Sequence, residues 1–241
     1  MLHLHQTYIT LFFIPLKISQ LHFESDKILT SLSREDKAYF LQSAEKLIFK
    51  KGKLIFYEGG IPTGVFLVKQ GKAKIYKTGI YGKEQIFYIY KRGDLFGYHA
   101  LLCDEKYEDS CEALEDCEIL FINKTDFGHL LEKIKPLRQL LIQNMSHEFG
   151  VLVNTITILA QKPLRERLAL YLLILHDRYY EYDSDTAKIN LPREDLANIV
   201  GTARESLGRL LKEFKEEQFI RIEKRTIEIL NFAALRKLAN S

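Results

Sequence analysis

Two arginines and a glutamate share one face of a short helical segment near the C-terminus. The segment reads VGTARESLGRLL and covers residues 200–211. At about 100° per residue, Arg204, Glu205 and Arg209 fall within about 140° of one another on the helical wheel, and apolar residues fill the remaining arc. An arginine guanidinium matches O6 and N7 of guanine, and a glutamate can accept from the amino group of cytosine. The same pattern is typical of an amphipathic surface helix with solvated charges.

The elements around this segment favour a helix that reads DNA bases over a surface helix with solvated charges. Residues 193–212 predict two helices joined at Gly201, where glycine permits the left-handed backbone of a tight turn. The next segment, FIRIEKRTIEIL, alternates around Lys224 and Arg225 and predicts a β-hairpin. Two helices and a hairpin together predict a winged helix-turn-helix within a domain that spans residues 161–241.

A different texture precedes this domain, over residues 24–125. Nine of the chain's 13 glycines lie between Gly52 and Gly97, where they separate aromatic and β-branched runs such as VFLV and QIFYIY. Such spacing predicts a compact antiparallel β-domain with many turns. Residues 24–50, which lead into it, are predicted to be helical.

Residues 126–160 return to a helical periodicity. Six apolar residues recur there at spacings of three and four: Ile142, Met145, Phe149, Leu152, Ile156 and Leu159. We call these six residues the α-seam. A seam of this kind fits a helix packed on its own domain or a helix that pairs with a second copy, and its place between two domains favours dimerisation. Pro163 then interrupts the pattern and predicts a hinge or a new helix start.

Two sets of segments resemble one known family. REDLANIVGTARESLGRLLKEFKEEQFI resembles the DNA-binding domain of the CRP/FNR family of bacterial transcription regulators. GKLIFYEGGIPTGVFLVKQGKAKIY and GDLFGYHALL resemble the cyclic-nucleotide-binding β-roll of that family, and the likeness covers about residues 28–235. It implies an α+β fold: an antiparallel β-roll of the jelly-roll kind, a long central dimerisation helix and a winged helix-turn-helix.

The resemblance also implies roles for individual residues. Arg204, Glu205 and Arg209 match the base-reading positions of the family, in the pattern R-E-x-x-G-R. A homodimer reading a palindromic TGTGA-like site in double-stranded DNA is expected, with RNA polymerase as a further partner. The candidate contacts to the DNA backbone, which hold register without reading sequence, are Arg193, Thr202, Ser206, Lys212, Lys224 and Arg225. A solvated turn accounts equally well for the last two.

The sensor segments depart from the members that bind cAMP. In those members the corresponding segments are similar to F-G-E-L-x-L-L and R-S-A-x-V-x-A-L-E-D. In this chain they read FGYHALL and YEDSCEALED. Tyr98 replaces the ribose-binding glutamate, Tyr107 the phosphate-binding arginine, and Glu108 the serine. Because a carboxylate repels a phosphate, we expect no tight cAMP binding. The candidate effector pocket, for an uncharged or cationic ligand, comprises Tyr98, His99, Tyr107 and Glu108.

Other cofactors of such sensors find limited support, and the cofactor stays unknown. An iron–sulfur cluster needs a set of cysteines near the N-terminus, and the three cysteines are Cys103, Cys111 and Cys117. Strand parity places the last two in the core as inert thiols, although redox sensing through them stays open. Haem ligation by His99 also stays open, and His3 with His5 offers too few ligands for a metal site.

The bulk composition alone does not indicate a function, so the functional assignment depends on these motifs. The net charge is +3, and residues 161–241 hold 15 Lys and Arg against 13 Asp and Glu. An odd cysteine count without a paired motif fits a reducing cytoplasm. Residues 1–23 fit neither a membrane span nor a signal peptide and stay unassigned.

Two other classes of protein were weighed against a regulator. A cupin-like enzyme would need an H-x-H pair and a glutamate as metal ligands, and His99 stands alone in the β-domain. No nucleophile triad or phosphate loop is present, so no enzyme is expected. The second class, a ligand-binding signalling module that acts through protein contacts, would leave the shared face of Arg204, Glu205 and Arg209 unexplained. The expected protein is a cytoplasmic homodimeric transcription regulator.

Overall fold

A computed structural model describes the chain over residues 18–180 and 187–240. Its N-terminal part opens with a 3-10 turn (Ile18–Leu21) and two short helices, α1 (Asp26–Thr30) and α2 (Arg34–Gln42). Eight strands and one helix follow: β1 (Glu45–Phe49), β2 (Leu54–Phe56), β3 (Gly64–Gln70), β4 (Ala73–Thr78), β5 (Glu84–Tyr90), β6 (Leu95–Phe96), α3 (Tyr98–Cys103), β7 (Ser110–Ala113) and β8 (Cys117–Asn123).

The strands form two four-stranded antiparallel sheets that enclose an aromatic core. The sheet orders are β1-β8-β3-β6 and β2-β7-β4-β5. Between them, the rings of Tyr90 and Phe96 stack with centroids 4.6 Å apart. Cys111 and Cys117 are buried in the same core, as their strand parity predicts, and burial raises the pKa of both thiols. These two thiols are therefore weak nucleophiles at neutral pH.

The helix predicted over residues 24–50 is wrong for its last part. The chain leaves α2 at Ser43, and residues Glu45–Phe49 form β1, which pairs antiparallel with β8 from Glu45 opposite Phe121 to Phe49 opposite Cys117. This short run cannot satisfy its backbone alone, but the neighbouring strand supplies partners along its whole length. Tertiary pairing therefore overrides the local helical pattern.

The single helix expected over residues 126–160 is two helices in the structure. These are α4 (Lys124–Lys133) and α5 (Lys135–Gln161), and α6 (Leu164–Tyr179) follows. Ile134 separates the first pair with a non-helical backbone (ψ 88°), and its buried side chain anchors the break. Pro136 is accepted in the first turn of α5, where no N–H partner is needed. Pro163 marks the next break, as its sequence position predicts.

The C-terminal domain consists of helices around a small sheet. Its elements after α6 are β9 (Ile189–Asn190), α7 (Arg193–Val200), α8 (Arg204–Glu216), β10 (Ile220–Glu223), β11 (Thr226–Ile229) and α9 (Phe232–Ala239). The strand order is β10-β11-β9. Glu223 pairs with Thr226 across the turn, so the predicted hairpin around Lys224 and Arg225 is confirmed.

A buried ionic cluster joins the two domains. The Lys74 ammonium on β4 lies 2.7 Å from Glu84, 3.0 Å from Asp195 and 3.8 Å from Glu112. Asp195 belongs to α7 of the C-terminal domain, and the other three residues belong to the β-roll. We call these four residues the Lys74 cluster. Beside it, Lys83 donates to the carbonyl of Thr202 at 2.7 Å, so the β4–β5 hairpin contacts the α7–α8 turn.

Within residues 18–180 and 187–240, none of the helices combines the length and the hydrophobicity that a membrane span needs. The same residues contain no group of three or more His, Cys, Asp or Glu arranged to hold a metal ion. His3 and His5 lie outside the described residues.

Candidate nucleic-acid interface and effector cavity

The α7–α8 pair is held at a fixed angle by its turn and its core. Gly201 adopts φ +70°, which only glycine takes up without strain, and its carbonyl accepts from the Arg167 guanidinium at 3.1 Å. The inner face of α8 buries Leu207, Leu211 and Phe214. The orientation of the outer face of α8 is therefore set by the turn at Gly201 and by the packing of the inner face.

The outer face of α8 presents the predicted base-reading residues to solvent. Arg204, Glu205 and Arg209 are all exposed. Arg209 contacts the hydroxyl of Ser206 at 3.1 Å, whereas Arg204 and Glu205 make no side-chain hydrogen bond or ion pair to any residue that the structure describes. Ala203 precedes α8 and cannot cap it with its side chain, so N–H groups of the first turn are available to an acceptor. This end of α8 carries two fork donors, one carboxylate acceptor and open amides.

A basic groove runs between α8 and the hairpin. It has a volume of about 320 Å³, and four cationic side chains line it: Arg193, Arg204, Lys212 and Lys215. Arg193 also donates to the carbonyl of Arg225 at 3.1 Å, which ties the start of α7 to the hairpin turn. Burial lowers the pKa of Arg193, but a guanidinium stays charged at neutral pH. Lys215 was not among the predicted contacts, although its position three residues after Lys212 on α8 indicates the same face.

The remaining predicted backbone contacts surround this groove. Lys224 and Arg225 are exposed at the hairpin turn, where Lys224 takes the left-handed conformation (φ +54°). Lys212 is exposed and lies 3.8 Å from Glu216. Thr202 is half-buried, at the α7–α8 turn. Exposed cationic residues therefore lie both on α8, beside the predicted base-reading residues, and at the hairpin turn.

The α-seam is left largely uncovered along α5. Ile142 is 58% exposed, Phe149 71% and Ile156 66%. Other positions of the same helix bury Leu137, Leu141, Val151 and Ile158 against the rest of the chain. A helix with two apolar faces, one of them bare, fits pairing with another protein surface.

A cavity of about 480 Å³ separates the α-seam from the β-roll. Its walls are apolar apart from a few side chains, and three of these are titratable: His99, Asp109 and Glu148. Five members of the α-seam also line it, so the cavity and the bare face of α5 are continuous: Met145, Phe149, Leu152, Ile156 and Leu159.

Comparison with known proteins decides the family. A model of the cyclic nucleotide-binding domain matches residues 46–134, and a model of the Crp-like helix-turn-helix domain matches residues 166–238. The chain is 26% identical over 208 residues to the Cyclic AMP receptor protein of Thermus thermophilus. The aligned residues are 86% of this chain and 94% of that protein. The chain is a member of the CRP/FNR family of transcription regulators.

Further CRP/FNR proteins share its sequence and fold. The Fumarate and nitrate reduction regulatory protein of Vibrio cholerae is 29% identical over 192 residues, which are 79% of this chain and 76% of that protein. The crystal structure of a CRP/FNR family regulator from Thermus thermophilus aligns with a TM-score of 0.66 at 26% identity, over 82% of this chain and 99% of that one. These relatives are transcription regulators and not enzymes.

The effector pocket predicted from the CRP/FNR resemblance needs correction. His99 lines the cavity, but Tyr98, Tyr107 and Glu108 lie outside its wall. Tyr98 is fully buried behind it, Tyr107 is stacked on Phe56 inside the β-roll at 4.0 Å, and Glu108 is exposed and paired with Lys77. Aromatic packing and solvation thus account for three of the four positions. Sequence reasoning missed Asp109 and Glu148 because they are far apart in the sequence. The packing of α5 places both residues in the wall of one cavity.

Proposed function

We propose that this CRP/FNR regulator binds a palindromic, TGTGA-like DNA site as a homodimer and reads it with Arg204, Glu205 and Arg209. The observation that carries the proposal is that Arg204 and Glu205 are exposed and unpaired among the described residues, on a helix whose other face is core. In this proposal the two arginines would meet guanine edges in the major groove, and Glu205 would accept from a cytosine.

The DNA backbone contacts of this proposal surround the base-reading face. They are Arg193, Thr202, Ser206, Lys212, Lys224 and Arg225, with Lys215 added from its place in the basic groove. Such residues fix the register of α8 on the duplex and make affinity strongly dependent on salt. A local basic groove accounts for DNA binding by a chain whose net charge is only +3.

The α-seam is the proposed dimer interface. Its exposed side chains would be buried against the α5 helix of a second copy, in the spacing that suits a helix pair. Two copies would place their α8 helices on half-sites about 34 Å apart, one helical turn of DNA. The same pairing would close the open side of the cavity, because five seam residues belong to its wall.

The proposed regulator works in the cytoplasm, with RNA polymerase as a partner and an effector other than cAMP. Three free cysteines among the described residues fit a reducing compartment. The cavity lining contains two carboxylic acids and no Lys or Arg, which disfavours a phosphate. Effector binding would bias two orientations of the C-terminal domains about the break at Pro163.

Selection from a random pool of DNA duplexes tests the proposal. Purified protein is offered the pool with and without cAMP, and bound sequences are counted. A TGTGA-like palindrome enriched equally in both arms is the expected result. Enrichment that requires cAMP would refute the assignment of the cavity, and no enrichment in either arm would refute the assignment of α8.

An arginine pair provides the matched control. Arg204→Ala should weaken binding to the selected site by about 1–3 kcal/mol and relax one base position. Arg236→Ala removes an exposed arginine from α9 of the same domain and should leave the preferred sequence unchanged. Equal behaviour of the two variants would contradict the base-reading role.

A further inference from the structure

The cavity beside α5 offers a ligand an apolar and aromatic environment. Phe23 and Phe87 from the N-terminal part of the chain and Phe149 from α5 contribute aromatic rings to its wall. A volume of about 480 Å³ is within the range of sites for small organic molecules. Aromatic faces attract cations as well as apolar groups.

One wall of this cavity carries a buried carboxyl group without a positive partner. Glu148 is 6% exposed, and its Oε1 accepts from the Tyr98 hydroxyl at 2.7 Å and from the Asn144 amide at 2.9 Å. Burial, with a smaller contribution from Asp94, raises the pKa of Glu148 to about 7 against the lowering effect of these two hydrogen bonds. A buried carboxylate that lacks a counter-charge is costly. The protein therefore holds an acidic group at a place where a positive charge would stabilise it.

Two further polar groups in the same wall are short of partners. Asp109 makes no hydrogen bond to the part of the chain that the structure describes, and burial raises its pKa to about 6, against the attraction of Lys77. The Nδ1 atom of His99 is buried without a hydrogen-bond partner. Burial lowers the pKa of His99, so its ring is neutral at pH 7 and does not supply the missing charge.

We infer that the cavity binds a small organic cation, with an apolar or aromatic body against the phenylalanines and an ammonium group beside Glu148 and Asp109. The inference rests on the proposed function, because it names the chemical class of the effector. A cation would supply the counter-charge that Glu148 lacks, and its body would be removed from water by the apolar wall. A cyclic nucleotide would place its phosphate among carboxyl groups instead.

Methionine-methyl NMR of the full chain tests the inference. The sequence has two methionines, Met1 and Met145, and Met145 lines the cavity, so a ¹³C-methyl-labelled sample reports binding through one assignable signal. Three probes are titrated: phenyltrimethylammonium, its neutral isostere tert-butylbenzene, and cAMP. We expect phenyltrimethylammonium to shift the Met145 signal with an affinity at least about tenfold above that of the isostere, a difference of about 1.4 kcal/mol.

A pair of glutamate variants locates the charge. Glu148→Gln keeps the size and hydrogen-bonding capacity of the side chain and should weaken the cation about tenfold while leaving tert-butylbenzene unaffected. Glu132→Gln removes an exposed carboxylate on α4 and should change neither affinity. Equal binding of the cation and the isostere by the unmodified chain, tighter binding of cAMP, or no shift with any probe would overturn the inference. The comparison of the cation with its neutral isostere uses the unmodified chain, so it does not depend on the stability of Glu148→Gln.

The readout separates this inference from the proposed function. Arg204→Ala should weaken DNA binding about 5- to 150-fold, equivalent to about 1–3 kcal/mol, and relax one base position, while the Met145 signal still responds to phenyltrimethylammonium. A chain that selects a palindrome but ignores the cation would refute the effector class alone. A chain that binds the cation but selects no DNA would refute the DNA reading alone.

Discussion

Replacing Lys74 with methionine should loosen the C-terminal domain from the β-roll. The Lys74 side chain is 5% exposed and lies between carboxylates of both domains. Burial lowers the pKa of this ammonium, but the hydrogen bonds that it donates to Glu84 and Asp195 outweigh that effect and leave the pKa above its usual value. Methionine keeps an unbranched side chain of similar length, so the variant removes chiefly the charge.

The size of the effect follows from the three carboxylates that would remain. At about 3 Å and an effective dielectric constant of about 20, one ion pair attracts by about 5 kcal/mol, which opposes a desolvation cost of several kcal/mol per ion. Removing one partner of a buried pair costs about 3–5 kcal/mol. Glu84 and Glu112 are each about a quarter exposed, so water can solvate them in part, and we expect about 3 kcal/mol.

Calorimetry and hydrogen exchange measure this loss. Asp195 can regain water only if α7 separates from the β-roll, so the C-terminal domain of Lys74→Met should melt earlier than the sensor, and the amides of α7 should exchange faster. Lys50→Met is the control, because Lys50 pairs with Asp116 at an exposed position and its loss should change little. A melting profile for Lys74→Met that matches that of Lys50→Met, with α7 exchange unchanged, would refute the proposed role of the cluster.

Three further predictions concern the seam, the turn and the cavity. Ile156→Glu should shift the chain from dimer to monomer in sedimentation, whereas Ile48→Glu, at a similarly exposed isoleucine on β1, should leave the mass unchanged; two equal masses would contradict the dimer interface. Gly201→Ala should lower the free energy of unfolding in urea by about 1–2 kcal/mol, because φ is +70° and the new Cβ would lie 2.9 Å from a leucine methyl carbon of α5; no loss would refute the strain argument. Glu148→Gln should gain stability relative to the unmodified chain as pH rises from about 4.5 to 7. The folded state holds the Glu148 proton up to about pH 7, whereas the unfolded state releases it near its ordinary value of 4.5, so the unmodified chain loses about 1.4 kcal/mol per pKa unit across that interval. Parallel pH profiles in urea unfolding would show that Glu148 titrates normally.

Features that depend on local periodicity could be predicted from the sequence. The exposed face of α8, with Arg204 and Glu205, follows from the 3.6-residue repeat, since the same repeat places the leucines in the core. The hairpin at Lys224 follows from alternation around a polar turn. In both cases neighbouring residues determine the structure, and distant partners only stabilise it.

Features that depend on distant partners could not be predicted. β1 exists because β8 pairs with it, although its residues fall near the end of the helix predicted over residues 24–50. Lys74 and Asp195 are 121 residues apart, and nothing near either residue indicates the other. The predicted effector pocket and the observed cavity differ for the same reason. Motif comparison selected Tyr107 from its neighbours in sequence, whereas the packing of α5 determines that Glu148 lines the cavity.

The side chains shared by the α-seam and the cavity have a thermodynamic consequence. Phe149 and Ile156 line the cavity and also face the proposed partner, so ligand binding and self-association act on the same atoms. Linkage requires the two effects to be equal. If the ligand changes the association constant of the dimer by some factor, dimerisation changes the affinity for the ligand by the same factor. The apparent dissociation constant of the effector would therefore vary with protein concentration, and dilution alone would change the sensitivity of the regulator.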